Sequence, residues 1–280
     1  MKSFGQPLRP IALSILVALL LAGCASLPPS NLMSFSCGVS AARNQTSVAL
    51  QAVTELTSDA LIDYAVAQAT LADTNFFPVL PPESVAVWDA AFAGLQKYSQ
   101  DLVLLTSANV TKDYENAVAT FSDQLRQTGD DLKSQKLISS EPSLSPSLAA
   151  AFTELGSMIL RAKVQHDARV ILRQSDPAVR QILRNMADAI ASNQDTALRG
   201  TVHAHWEEKK ANLKVAFLSA AKPEERRNLA ARYASLLVSE STQDLALASL
   251  QRSLLALIDA HHALANGDSC LASVSMNGSV

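Results

Sequence analysis

The stretch "DLALASLQRSLLALIDAHHALAN", residues 244–266, sets leucine at 247, 250, 254, 257 and 264, with His261 completing the row. The steps run 3-4-3-4-3, which is one stripe along a helix packed lengthwise on others. Arg252 and Asp259 flank the stripe without a cationic excess, so it reads as a core seam and not as a membrane-binding face. N-terminal to the stripe, no proline or glycine occurs until Pro223. A continuous helix over 223–266 would be about 66 Å long, and a helix of that length needs a partner along its flank.

The same reading extends through the rest of the chain. Alanine and leucine dominate, aromatic residues make up 5 % of the sequence, and alternation of period two is almost absent. Turn signals fall at "NFFPVLPPES" (75–84), "SSEPSLSPS" (139–147), "QSDP" (174–177) and "AKPEE" (221–225). Pro82, Pro146, Pro177 and Pro223 each suit the first turn of a helix that follows. A weaker break at "ANVTKDYE" offers Thr111 as a cap. The punctuation predicts six helical segments, at 38–73, 83–107, 111–134, 146–173, 177–220 and 223–266. The expected fold is all-α: an elongated, mostly antiparallel bundle that ends in a long C-terminal hairpin. It would occupy 37–270 as one domain, with a flexible tail at 271–280. Continuity of the long segments near 192–200 and 239–244 is left open by their polar composition.

The N-terminus has a different character. Residues 1–10 carry Lys2 and Arg9 and no acid, and "IALSILVALLLA" (11–22) is apolar apart from Ser14. Twelve residues cover about 18 Å as a helix, short of the ~30 Å hydrocarbon core, so the stretch reads as a secretory leader and not as a span. It ends on Leu21-Ala22-Gly23-Cys24, followed by "ASLPPS". This resembles the lipobox of bacterial lipoproteins. The resemblance implies cleavage after Gly23, diacylglycerol on the Cys24 thiol and palmitate among the acyl chains. It also implies a tether over 24–36. Ala25 and Ser26, with no Asp after the cysteine, resemble sorting to the outer membrane of a Gram-negative cell, facing the periplasm. Two or more acyl chains suffice for stable anchoring.

Without residues 1–23 the chain has twenty-one basic and twenty-six acidic residues, net −5. No basic patch suggests nucleic acid. Cys37 and Cys270 remain, one at each end of the expected domain. In an oxidising compartment they would pair as a disulfide; two free thiols are the other reading.

Signatures of catalysis are missing from the sequence. There is no H-E-x-x-H, no Glu-x-x-His pair, no G-x-S-x-G, no glycine-rich phosphate loop and no C-x-x-C. No metal or cofactor is therefore expected, and no enzymatic activity. Two features stand out. If the last two segments fold back near residue 221, Glu240 comes to face the region of His203 and Glu207, giving a polar zone midway along the hairpin. The loop with Phe76, Phe77, Val79 and Leu80 is either a plug for the core or an exposed contact for a partner. The expected function is a membrane-anchored, non-catalytic scaffold or adaptor that binds an envelope protein. The alternative is a helical module holding a small or lipidic ligand.

Overall fold

The computed structural model describes residues 29–69, 71, 80, 82–107, 114–134, 144–162, 168–191 and 197–267. These contain seven helices and no strand: α1 (Pro29–Gln68), α2 (Pro82–Ser107), α3 (Tyr114–Ser134), α4 (Leu144–Ala162), α5 (Ala168–Ile190), α6 (Leu198–Ser219) and α7 (Pro223–Asn266). The all-α reading holds, with seven helices in place of six. No helix among the described residues is long and apolar enough to cross a membrane.

The stripe on α7 is core. Leu247, Leu250, Leu254, Leu257, His261 and Leu264 are all buried. They pack in an antiparallel sense on α1, where Phe35 meets the His261 ring and Gly38 lies against Leu257. Further along, Gln45 accepts from Ser253 and the Ala52 carbonyl accepts from Gln243. α1 also pairs antiparallel with α2, through Arg43 donating to Asp89 and Ser99 donating to Ser36. On the opposite side α5 packs on α7, with Gln251 donating to the Ala187 carbonyl. Trp88, Phe92, Leu95 and Tyr98 of α2 fill the centre, and α3 with α4 closes the core. α7 stops where Gly267 takes a left-handed φ of 76°, its N–H capping the last turn.

Several expectations change. Pro177 does not start a helix; it lies inside α5. An interior proline costs about 3 kcal/mol. Ile171 and Leu172 before it and Val179, Ile182, Leu183 and Met186 after it are all buried in the core. At about 1.5–3 kcal/mol for each large apolar side chain, that burial outweighs the proline. The segment expected at 146–173 instead ends at Ala162, and α5 begins at Ala168; the link, 163–167, lies outside the described residues. The segment expected at 177–220 divides between Ile190 and Leu198, whereas α7 runs unbroken through 239–244. The tether expected over 24–36 is shorter, because α1 begins at Pro29 and buries Leu32 and Phe35. Leu80 is 6 % exposed and belongs to the core, so it is not an exposed partner contact. Phe76 and Phe77 lie outside the described residues, as do Cys24 and Cys270. Cys37 is exposed on α1.

Small residues let α3 and α4 approach closely. Ser122 donates to the Gly156 carbonyl at 2.8 Å, and a Cβ placed on Gly129 would lie 2.8 Å from the Ala149 carbonyl oxygen. A backbone oxygen cannot swing away as a side chain can. Gly129→Val should cost about 1–3 kcal/mol by overpacking and lower the melting midpoint by roughly 2–10 °C. A variant that melts at or above the parent temperature would show that α3 and α4 can part freely.

Candidate functional site

Folding back at residues 220–222 sets the register of the α6–α7 hairpin, and three polar side chains meet midway along it. His203 Nδ1 lies 3.4 Å from Glu240 Oε1, and its Nε2 lies 3.7 Å from Glu207 Oε1. The residue that organises them is Lys210. Its Nζ donates to Glu207 and to both oxygens of Glu240, at 3.1 and 3.0 Å. The hydrogen bond from Lys210 holds the Glu207 carboxyl below its ordinary range, and Glu207 and then Glu240 raise Lys210. One turn closer to the core, Arg199 makes a two-pronged contact with Asp244, at 2.9 and 3.0 Å. Trp206 Nε1 donates to Gln243, which itself donates to the Ala52 carbonyl of α1.

This arrangement is a clasp. His203, Glu207 and Glu240 each bring a potential metal-ligand atom within 4.8 Å of the others. The Lys210 ammonium already donates to both carboxylates and offsets part of their charge. Neutralisation by an internal cation suits fixing two helices in register.

A second polar cluster is buried where α2, α5 and α7 meet. Tyr98 Oη lies 2.8 Å from His261 Nε2 and 2.6 Å from Ser175 Oγ. His261 Nδ1 lies 3.0 Å from Asp176 Oδ1, and His262 Nδ1 lies 2.9 Å from Asp176 Oδ2. Burial pushes the His261 imidazole below its ordinary range despite the adjacent Asp176. Burial alone would raise Asp176. Hydrogen bonds from His261 and His262, with the nearby charge of Arg180, overcome it and hold the carboxyl low. Burial also drives the Tyr98 phenol up. These directions assign one pattern: His261 is neutral, donates from Nδ1 to the Asp176 carboxylate and accepts the Tyr98 hydroxyl at Nε2. His262 Nδ1 also lies 3.2 Å from Arg180 Nη1, and Asn266 Nδ2 lies 3.1 Å from His262 Nε2.

Acid, imidazole and hydroxyl in series resemble the elements of nucleophilic catalysis. Here Tyr98, Ser175 and His261 are all 0 % exposed. The cluster is a satisfied polar knot in the core, holding α7 on α2 and α5.

His261 sat in the leucine stripe in sequence, and a polar residue in such a seam requires a buried partner; that signal was present. Tyr98, Ser175 and Asp176 carried none, because they come from helices distant in sequence. Lys210 was missed because "EEKK" (207–210) reads as a solvated face.

The remaining feature is the hairpin itself. Beyond the clasp it leaves the core, and no residue from 211 to 246 is buried. Val215, Leu218, Val238 and Leu245 are more than half exposed on this arm. No protein-family model, curated protein or solved structure matches the chain.

The knot makes a pH-dependent prediction. The folded chain resists protonating His261, while the unfolded chain takes up the proton near pH 6.5. The stability so contributed is complete above about pH 6.5 and is lost as pH falls from there towards the lowered folded value. Asp176 acts in the same sense further into acid, from the ordinary carboxyl range of about pH 3.9 down to its depressed folded value. Urea unfolding at pH 7.5 and 5.5 should show a loss of stability in the parent that is smaller in His261→Gln. Equal losses in the two proteins would mean that His261 is not held neutral. Tyr98→Phe should cost about 1–3 kcal/mol at either pH, because the buried Nε2 loses its donor.

Proposed function

We propose that the protein is a lipid-anchored envelope scaffold, tethered through Cys24 to the outer membrane and facing the periplasm, that binds a protein partner through the arm formed by α6 and α7. The observation that carries the reading is the bare arm. A two-helix hairpin standing clear of the core normally turns charged faces to water. On α7 of this arm the exposed positions 234, 235, 237, 238, 239, 241 and 242 are all uncharged. Leu237 and Val238 stand exposed there among Ala234, Ser235, Ser239, Ser241 and Thr242, and apolar surface rimmed by polar residues marks a contact site.

The clasp supports the same reading. A contact surface is useful when its two helices hold one register, and Arg199–Asp244 with Lys210–Glu240 hold it at the base of the arm. The polar cluster with hydroxyl, imidazole and carboxylate is sealed in the core, so the exposed chemistry of the protein is that of recognition. The resemblance to lipoproteins at Leu21-Ala22-Gly23-Cys24 supplies the anchor.

Two measurements test the parts separately. Cys24→Ser should abolish palmitate incorporation, and labelling that persists would remove the anchor. Leu218→Ser combined with Val238→Ser should reduce recovery of the partner from detergent-solubilised envelopes by tenfold or more. Because both side chains are exposed in the parent, the melting midpoint should move by less than about 2 °C. Undiminished recovery with an unchanged melting point would take the partner off the face of the arm that carries Leu218 and Val238.

A further inference from the structure

We infer that the arm's contact is a groove between α6 and α7 that takes an acidic, amphipathic segment of a protein lying away from the anchoring membrane; this rests on the scaffold reading above. The groove has a volume of about 460 Å³. Its floor is apolar, from Leu213 of α6 and Leu229 and Leu236 of α7, with Ile62 of α1 at one side. Its rims are basic: Lys209 on α6 and Arg232 on α7. Apolar floor and paired cationic rims fit a helix that sets apolar side chains inward and carboxylates outward.

Charge distribution points the same way on a larger scale. Residues 211–246 carry five basic and four acidic residues, net +1. The remainder of residues 24–280 carries sixteen basic and twenty-two acidic, net −6. The arm is the basic part of an acidic molecule, so an acidic partner is drawn to the arm and repelled by the body.

The fold also separates this groove from the anchor. Cys24 lies five positions before Pro29, where α1 begins. The start of α1 packs on the end of α7, as the ring contact of Phe35 with His261 at 5.3 Å records. The tip of the arm is the opposite end of α7, 44 residues away and so about 66 Å along the helix. The five residues from Cys24 reach at most about 18 Å when fully extended. Lipid anchor and arm tip therefore occupy opposite poles, and the acidic body lies between the arm and an anionic membrane. Two copies anchored side by side in one membrane would bring basic arm against basic arm. Charge thus disfavours both the membrane and a second copy as occupants.

The test is photo-cross-linking in living cells, with the full anchored chain carrying a photoreactive residue at Asn212 on the groove or at Val48 on the body. Asn212 should give an adduct with a protein and Val48 should give none. Arg232→Glu should lower the Asn212 adduct at least tenfold with an unchanged melting curve, since that side chain is exposed. Exchanging an Asp or Glu for Lys in the cross-linked segment of the captured protein should restore it. Adducts with lipid, or with a differently tagged second copy of the chain, would overturn the inference. So would a protein adduct indifferent to Arg232→Glu, which would leave the scaffold reading standing; one formed only at Val48 would move the partner to the body and overturn both. No protein adduct at either position would remove both.

Discussion

The structure depends on how much of α7 is covered. A helix of 44 residues has more flank than the rest of the bundle can bury. From Leu247 to Ala265 it is sealed by α1, α5 and the Tyr98–His261 contact, and the leucine stripe pays for the ordering of three long helices at once. From Pro223 to Ala246 no side chain is buried, and α6 packs alongside. One element thus serves as core in its second half and as presented surface in its first. The division falls at the clasp, where apolar burial stops and ion pairs take over.

The α class and the stripe were legible because both follow from periodicity within one segment. His261 and the five leucines announced a buried face without any knowledge of what covered it. The approach of His203 to Glu240 was legible for a related reason: a hairpin's turn, once located near residue 221, sets which positions lie opposite. Helix boundaries were less so. Pro177 is a strong local signal, yet tertiary burial on both sides of it prevails. Conversely "KVQHD" at 163–167 contains neither proline nor glycine, so nothing local announced that α4 stops at Ala162. The "SNQDT" stretch (192–196) and the "SESTQD" stretch (239–244) have similar compositions. Over 239–244 the helix is supported by Glu240, Gln243 and Asp244, each of which finds a partner across the hairpin or on α1.

The buried knot was illegible for a deeper reason. Tyr98 and His261 are 163 residues apart, and His261 and Asp176 are 85 apart. Only the complete topology brings them together. A buried polar group left without a partner costs about 1–3 kcal/mol, so the knot penalises every packing of α7 in which His261 misses Tyr98 or Asp176. Leucines alone tolerate a shift of one turn along the stripe, since 3-4-3-4-3 spacing nearly repeats itself. His261 does not. The knot therefore selects one register for α7 among several that hydrophobic burial would accept.

Register in the core is then carried outward by the clasp. Lys210 and Glu240 are only 11 % and 18 % exposed, so their attraction is set against the cost of desolvating both. Arg199–Asp244 has an exposed carboxylate, and neither pair is a good explanation of stability. Their geometry is informative in another way. Lys210 bridges Glu207 on its own helix and Glu240 on the other, and Arg199 engages both Asp244 and Gln251. A sliding of α6 by one turn, about 5.4 Å, would break all of these together. Gln243 ties the same level of the hairpin to the Ala52 carbonyl of α1, which is itself held by the Phe35–His261 contact further along. A chain of fixed registers thus runs from the buried histidine to the base of the arm. It keeps the groove floor of Leu213, Leu229 and Leu236 in one alignment without a core of its own beneath it. For a surface that recognises a partner, holding the two rims in a single alignment lowers the ordering entropy lost on binding, and that is where weak ion pairs have their largest effect.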